Sequence, residues 1–172
     1  MELPKRKPTR LKEYDYSQNG AYFVTICTQD RKCILGEVVP IEDGTENGIT
    51  VGQGLAPAEI KLSRYGKIAE DQIALLENRY PNIEIVKYAI MPNHIHILIS
   101  IYNETAGASP CPTLSDIICS FKSLTTRLCG GGKIFQSSFH DHIIRDERDF
   151  LQIWQYIDTN HLKWQGDFFY IP

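Results

Sequence analysis

Residues 88–100, Tyr-Ala-Ile-Met-Pro-Asn-His-Ile-His-Ile-Leu-Ile-Ser, constrain this chain more than any other stretch. They read as the end of one strand, a break at Pro92-Asn93, and a second strand opening on His94-Ile95-His96. Side chains alternate faces along a strand, so His94 and His96 project from one face and Ile95 and Ile97 from the other. Two imidazoles about 7 Å apart along the backbone can converge on one divalent ion, and neutral imidazole is the commonest metal ligand. Standing alone, a His-X-His pair is more often two half-exposed histidines on a sheet surface. The far end of the chain changes that balance, because Tyr156 and Asn160 lie one helical turn apart there.

The rest of the chain supplies a frame for that pair. Ala21–Gln29 is rich in aromatic and β-branched residues and reads as the first core strand, with Phe23 facing away from Tyr22 and Val24. Cys33–Val39 and Gly48–Val51 are expected to form an edge hairpin around the turn residues of Asp43–Gly48. Ser63–Tyr80 has helical period, with Ile68, Ile73, Leu75, Leu76 and Tyr80 on its apolar side and Pro81-Asn82 at its end. Ile83–Met91 and His94–Tyr102 follow as paired strands, and residues 103–112 as a loop. Thr113 caps a second helix, with Asp116 three residues on, and Gly130-Gly131-Gly132 stops it. Ile134–Arg145 reads as the last strand and Asp146–Trp164 as the third helix.

Without the hairpin and the final helix, this is the split βαβ order. The expected fold is therefore α+β: a ferredoxin-like antiparallel sheet with two helices on one face, an edge-hairpin insertion and an added C-terminal helix. The third core strand is central in such a sheet. His94 and His96 then sit on or at the rim of its open face, where a third helix laid across would meet them. Residues 1–20 are expected to be a basic arm and residues 21–172 one domain, a size at which a real core needs no metal or disulfide staple.

A hydrophobic content of 42% with 23% charged residues is ordinary for a globular chain. No run approaches the apolar length that spans a bilayer, so the expected setting is cytoplasmic, with no membrane partner. The five cysteines are odd in number and form no Cys-X-X-Cys pair, which points to reduced thiols and away from a thiolate zinc site. The net charge of −3 argues against a general nucleic-acid coat protein. The first dozen residues nevertheless hold Lys5, Arg6, Lys7, Arg10 and Lys12, and a local basic arm matters more for phosphate binding than the whole-chain sum.

In the final helix, Phe150, Ile153, Trp154, Ile157, His161 and Trp164 fall on one stripe, the packing face. Gln152, Tyr156 and Asn160 form an adjacent column spaced by four, with Asn160 at the stripe's edge. That placement suits a hydroxyl reaching into a site between helix and sheet. It equally suits a boundary tyrosine resting on the core.

Several stretches together carry a resemblance: Met91-Pro92-Asn93-His94-Ile95-His96, Ser138-Phe139 with Asp141-His142-Ile143-Ile144-Arg145-Asp146, and Tyr156-Ile157-Asp158-Thr159-Asn160. Tyr22–Thr28 and Phe121-Lys122-Ser123 join them, so the likeness runs from about residue 9 to 164. This ordered set resembles the single-tyrosine HUH transposases, and within them the REP-associated tyrosine transposases. His161 departs from it, standing where proline usually follows the asparagine, as does His140 where an aromatic is usual.

The resemblance implies that His94, His96 and Asn160 hold Mg²⁺ or Mn²⁺, leaving positions for a phosphate oxygen and water. It implies Tyr156 as the nucleophile on single-stranded DNA beside a folded hairpin, giving a 5′-phosphotyrosine that a 3′-hydroxyl later attacks. Lys122, Arg127, Arg145 and Lys163 are candidate DNA contacts that equally suit a solvated surface, and His142 is read as a structural or phosphate-contacting residue in preference to one supporting the metal ligands. Either a monomer or a homodimer is compatible with it. Two rival functions stay open: a non-catalytic hairpin-binding relative, and a metal-dependent nuclease that uses water. Tyr14 and Tyr16 are candidates for stacking on bases.

Overall fold

A computed structural model describes residues 14–40, 58–102 and 112–170. The five basic residues of the expected arm, the expected strand Gly48–Val51 and most of the loop after residue 102 lie outside the described residues.

Four strands build the main sheet: β1 (Gly20–Cys27), β4 (Ile83–Met91), β5 (His94–Ile101) and β6 (His140–Ile143). Their spatial order is β4-β5-β1-β6, and every neighbouring pair is antiparallel. Counting only these strands, the order is second, third, first, fourth, the ferredoxin-like arrangement expected from the split βαβ pattern. Helices α1 (Arg64–Ala74) and α3 (Leu114–Leu128) make the two crossovers.

Alternation decides which face they cover. Tyr22, Val24 and Ile26 of β1 and Ile95, Ile97, Ile99 and Ile101 of β5 are fully buried, and they join Ala69 and Ile73 of α1 and Ile117, Ile118 and Phe121 of α3 in one core. Each such aliphatic or aromatic side chain contributes about 1.5–3 kcal/mol by leaving water. The opposite face of β5, bearing His94, His96 and Leu98, is left to be covered from the C-terminal side.

Local signals set the helix ends. The Ser63 hydroxyl accepts hydrogen bonds from the Tyr65 and Gly66 amides at the start of α1 and donates to the Ile34 carbonyl at 2.6 Å. One side chain thus caps the helix and fastens it to the segment after β1. The expected helix Ser63–Tyr80 is continued by a short α2 (Leu76–Arg79), offset at Leu75. Thr113 and Asp116 form a full capping box on α3. Beyond its last turn Gly130, Gly131 and Gly132 all have positive φ, of 97°, 87° and 89°, which L side chains rarely adopt.

Three points differ from expectation. β2 (Gly36–Pro40) pairs with β3 (Ala58–Leu62), a strand not expected, and the two form a separate two-stranded sheet. Ala-Glu-Ile-Lys-Leu has the strict apolar/charged alternation of a strand, a signal overlooked just ahead of the Ser63 cap. The last strand is shorter than Ile134–Arg145: Phe135 makes an isolated bridge to Thr28, and the ladder resumes only at His140. Between them the Lys122 ammonium donates to the Ser137 and Ser138 carbonyls at 2.9 and 3.5 Å, occupying acceptors a ladder would use. Finally, α4 covers Glu147–Thr159 and passes into a 3₁₀ turn, His161–Gly166, instead of continuing as α-helix to Trp164.

The stretch 14–19, within the expected arm, lies against the body. Tyr16 is buried, packs edge-on to Tyr14 with ring centroids 5.0 Å apart, and meets Tyr22 at 6.1 Å. The buried Tyr16 ring belongs to the core and is not free to stack on bases, while Tyr14 packs half-buried at its margin.

Candidate active site

β5 carries His94 and His96 to the face away from α1 and α3, and β1 lies beside it with Cys27 opposite His94 and Thr25 opposite His96. α4 crosses this face. The Lys87 ammonium of β4 fastens it, lying 2.5 Å from the Asp158 carboxylate and 4.4 Å from the centre of the Trp154 ring. The stripe placed Trp154 on the packing face, but it is 38% exposed and covers the lysine; Ile157 and Trp164 are the buried members.

The two imidazoles meet tip to tip, Nε2 to Nε2 at 2.9 Å, in surroundings that leave His94 0% and His96 1% exposed. Their outer nitrogens are held from behind. His94 Nδ1 is 2.9 Å from the Asn93 Oδ1, and His96 Nδ1 is 2.9 Å from the Thr25 hydroxyl. Asn93 is oriented unambiguously, because its Nδ2 donates to two carbonyls, Phe169 at 2.8 Å and Arg31 at 3.2 Å. Its Oδ1 can only accept, so His94 carries its proton on Nδ1 and turns a lone pair inward. Two inward lone pairs cannot face each other at 2.9 Å, so a proton on His96 Nε2 or a cation must lie between. Thr25 serves either state, donating to His96 Nδ1 in the first and accepting from it in the second.

Burial sets the protonation of the pair. Desolvation pulls His94 down to about 4, opposed by the Asp167 charge, and pulls His96 well below the usual imidazole value, with His94 adding to it. Both are therefore neutral at pH 7, the form that binds a metal.

Tyr156 and Asn160 reach the same place from α4. The phenol oxygen is 3.3 Å from His96 Nε2, and its ring stands edge-on to Phe23 and His96. Tyr156 remains 37% exposed. Asn160 is buried, its Nδ2 donating to Asp167 Oδ2 at 2.7 Å, while its Oδ1 is buried with no hydrogen-bond partner. A buried acceptor without a donor is costly, and a cation would satisfy it.

Asp167 was not anticipated. Its Oδ2 lies 3.4 Å from the Tyr156 hydroxyl, and one ligand atom each from His94, His96 and Asp167 fall within 4.8 Å of one another. Burial first and then this carboxylate push the Tyr156 phenol up to about 12. The segment around Asp167 lies over the pair: the Phe169 ring is 4.7 Å from His94, and the Arg31 guanidinium sits 5.3 Å from the Phe169 centroid. Asp30 and Arg31, below it, both hold positive φ, of 56° and 54°, an uncommon conformation for residues other than glycine and one that clusters at functional sites. The sequence did offer a signal, since Asp167-Phe168-Phe169-Tyr170 is too aromatic for a solvated tail. Thr25 was legible too, as a polar residue within the first core strand.

Four of the expected site residues, His94, His96, Tyr156 and Asn160, thus come together. The other candidates do not join them. His142 is bound to the Asp149 carboxylate at 2.8 Å, tying β6 to the first turn of α4. Arg145 and Lys163 are exposed. Lys122 and Arg127 lie on α3, behind the sheet.

No protein-family profile matches the chain. A protein of Haemophilus influenzae Rd, itself uncharacterized, is 29% identical over 185 residues, covering 96% of this chain and 93% of the relative. Among solved structures, a REP-associated tyrosine transposase bound to a REP hairpin superposes with a TM-score of 0.59 at 19% identity, over 95% of this chain and 74% of that one. The fold is shared with that transposase. A candidate transposase of Deinococcus radiodurans R1 gives a TM-score of 0.41 at 17% identity, over 88% of this chain and 97% of that one, a likeness too loose to argue from. None of the helices among the described residues is long and apolar enough to cross a membrane.

Proposed function

We propose that the chain is a tyrosine transposase of the REP-associated kind, cleaving and rejoining single-stranded DNA beside a hairpin. The observation that carries the reading is the meeting of Tyr156 with the buried His94–His96 pair, 3.3 Å apart, from elements 60 residues distant in sequence. A merely structural pair of sheet histidines needs no phenol at its tips and no unpartnered amide oxygen beside them.

The donor set fits a hard divalent ion. His94 Nε2, His96 Nε2 and Asn160 Oδ1 would hold it, with the Asp167 carboxylate within reach as a fourth group. When bound, Mg²⁺ or Mn²⁺ polarises the scissile phosphate, spreads its developing charge and favours the phenolate. The chain's own residues do the rest. Asn93 fixes the His94 tautomer, Thr25 supports the His96 ring from behind in either tautomer, burial keeps both rings neutral, and α4 holds the phenol oxygen at their tips.

In the reaction the Tyr156 oxygen attacks phosphorus as its proton leaves. The bond from phosphorus to the 3′ oxygen breaks, and that oxygen takes up a proton to depart as a 3′-hydroxyl. The product is a 5′-phosphotyrosine, which retains the phosphodiester's energy, so another 3′-hydroxyl can reverse the step and join a new strand. No nucleotide cofactor is needed. A phenol held at about 12 is a poor nucleophile by itself, and help in losing its proton is what a bound cation would supply.

A denaturing gel tests the reading. Protein is incubated with labelled hairpin DNAs carrying single-stranded flanks, with Mn²⁺, beside Tyr156→Phe and His96→Ala. The reading expects a labelled protein–DNA adduct that both substitutions abolish. Cleavage that survives Tyr156→Phe would make water the nucleophile. Hairpin binding with neither cleavage nor adduct would make this a binding module.

A further inference from the structure

A cleft of about 470 Å³ opens on the far side of the sheet from the histidines, between the C-terminal half of α3 and residues 131–137. Its lining includes Lys122, Arg127 and Lys133 and not one carboxylate. On a chain whose net charge is −3, three cations gathered without an acid make a local reversal of sign. Arg127 and Lys133 are exposed and have no ion-pair partner among the described residues.

The cleft has a formed floor and mouth. Lys122 is half-buried and pinned across it by the Ser137 and Ser138 carbonyls, and its ammonium is held below the usual lysine value by desolvation. At the mouth, the left-handed glycines turn the chain back on α3. The Gly131 amide is used internally, donating to the Thr126 carbonyl at 2.9 Å, while the Gly132 and Lys133 amides find no acceptor among the described residues. A side chain added at Gly131 or Gly132 would meet nothing within 4 Å, so this rim is open to solvent. Exposed backbone donors set among cations suit a phosphodiester, whose anionic oxygens take both.

The cleft is physically joined to the histidine site. The Gln29 amide donates to the Ile134 carbonyl at 2.8 Å, and the Gln136 amide donates to the Cys27 carbonyl at 3.0 Å. Cys27 in turn pairs with His94, and the Thr28 hydroxyl donates to the Asn93 carbonyl at 3.0 Å. The backbone of the cleft wall at Gln136 is therefore two strand spacings, about 10 Å, from that of His94.

We infer that this cleft binds the sugar–phosphate backbone of the single-stranded DNA that flanks the cleavage position, holding the strand that runs past the end of the sheet. The inference rests on the transposase reading above and adds where the flanking strand is gripped. Because the contacts are to phosphates, they carry affinity and position but no base preference.

The test is fluorescence anisotropy of a labelled hairpin with a ten-nucleotide single-stranded flank, at salt concentrations from 50 to 300 mM. Wild type is compared with Lys122→Ala/Arg127→Ala/Lys133→Ala and with the exposed pair Arg127→Gln/Lys133→Gln, which leaves the half-buried lysine alone. Each cation lost should flatten the plot of log K against log salt by about 0.7, the single-strand value. The triple variant should therefore lose about 2 from the slope and the pair about 1.4. Removing the flank should weaken wild type to the level of the triple variant and leave that variant unchanged. Folded variants that keep the wild-type slope, or still respond to the flank, overturn the cleft. If those variants also form the Tyr156-dependent adduct, only the cleft fails; a wild-type protein that binds no DNA removes both readings.

Discussion

Replacing Thr25 by valine removes one oxygen from the site and almost nothing else. Thr25 is 4% exposed, its hydroxyl lies 2.9 Å from His96 Nδ1, and valine has the same shape and a better strand preference. The variant leaves His96 Nδ1 without a partner in a pocket where His96 itself is 1% exposed. An unsatisfied buried polar group costs about 1–3 kcal/mol, and the apolar methyl gained recovers part of it, so a net loss of about 1–2 kcal/mol of stability is expected. The effect on metal should be larger in relative terms. Groups that hold a ligand histidine from behind are worth about 10–100-fold in metal affinity, and here the hydroxyl also permits the tautomer with Nε2 free. Urea unfolding gives the first quantity, read as a lower midpoint at unchanged slope, and calorimetric titration with Mn²⁺ gives the second. Thr25→Ser keeps the hydroxyl and should restore the affinity. Valine behaving as wild type in both measurements, or serine being as damaging as valine, would refute the argument that this hydroxyl supports His96 as a ligand.

The buried imidazoles make stability depend on pH. They titrate near 6.5 when unfolded, but His94 falls to about 4 in the fold and His96 well below 6.5, so the unfolded chain binds more protons in between. Their contribution is complete above about pH 6.5 and lost as pH falls toward 4, so urea midpoints should fall across that range; midpoints that stay level from pH 7 to 5 would contradict this. Gly66→Ala places a methyl carbon 2.0 Å from the Leu35 carbonyl oxygen, which is backbone and cannot step aside, so a loss of about 3 kcal/mol is expected in the same assay. Tyr156→Phe should unfold within about 0.5 kcal/mol of wild type, because its hydroxyl contacts, at 3.3 and 3.4 Å, are long. A large destabilisation there would show the hydroxyl to be structural.

Much of this was legible in the chain because it rests on periodicity. Alternation through Ile95, Ile97 and Ile99 fixes which face is core, and that alone sends His94 and His96 to the other. The four-residue spacing of Tyr156 and Asn160 puts both on one side of α4. What periodicity cannot report is long-range registry. Asp167 reaches the site only because a 3₁₀ turn at His161–Gly166 redirects the chain, and no local pattern encodes where that turn aims. The partner of β2 was missed because turn residues at Asp43–Gly48 suggested a tight hairpin, while the alternating strand Ala58–Leu62 lay further along. The short β6 has a similar origin: the Lys122 ammonium, distant in sequence, takes up the Ser137 carbonyl.

The central claim is that the Tyr156 oxygen becomes bonded to DNA. The direct measurement is mass spectrometry of the protein after reaction with flanked hairpin DNA and Mn²⁺, followed by nuclease and trypsin. Cleavage after Arg148 and Lys163 releases residues 149–163, in which Tyr156 is the sole tyrosine. The account predicts this peptide carrying a 5′-linked nucleotide on Tyr156, absent when Mn²⁺ is withheld. Cleaved DNA with the peptide unmodified, or the nucleotide found on another residue, would contradict it.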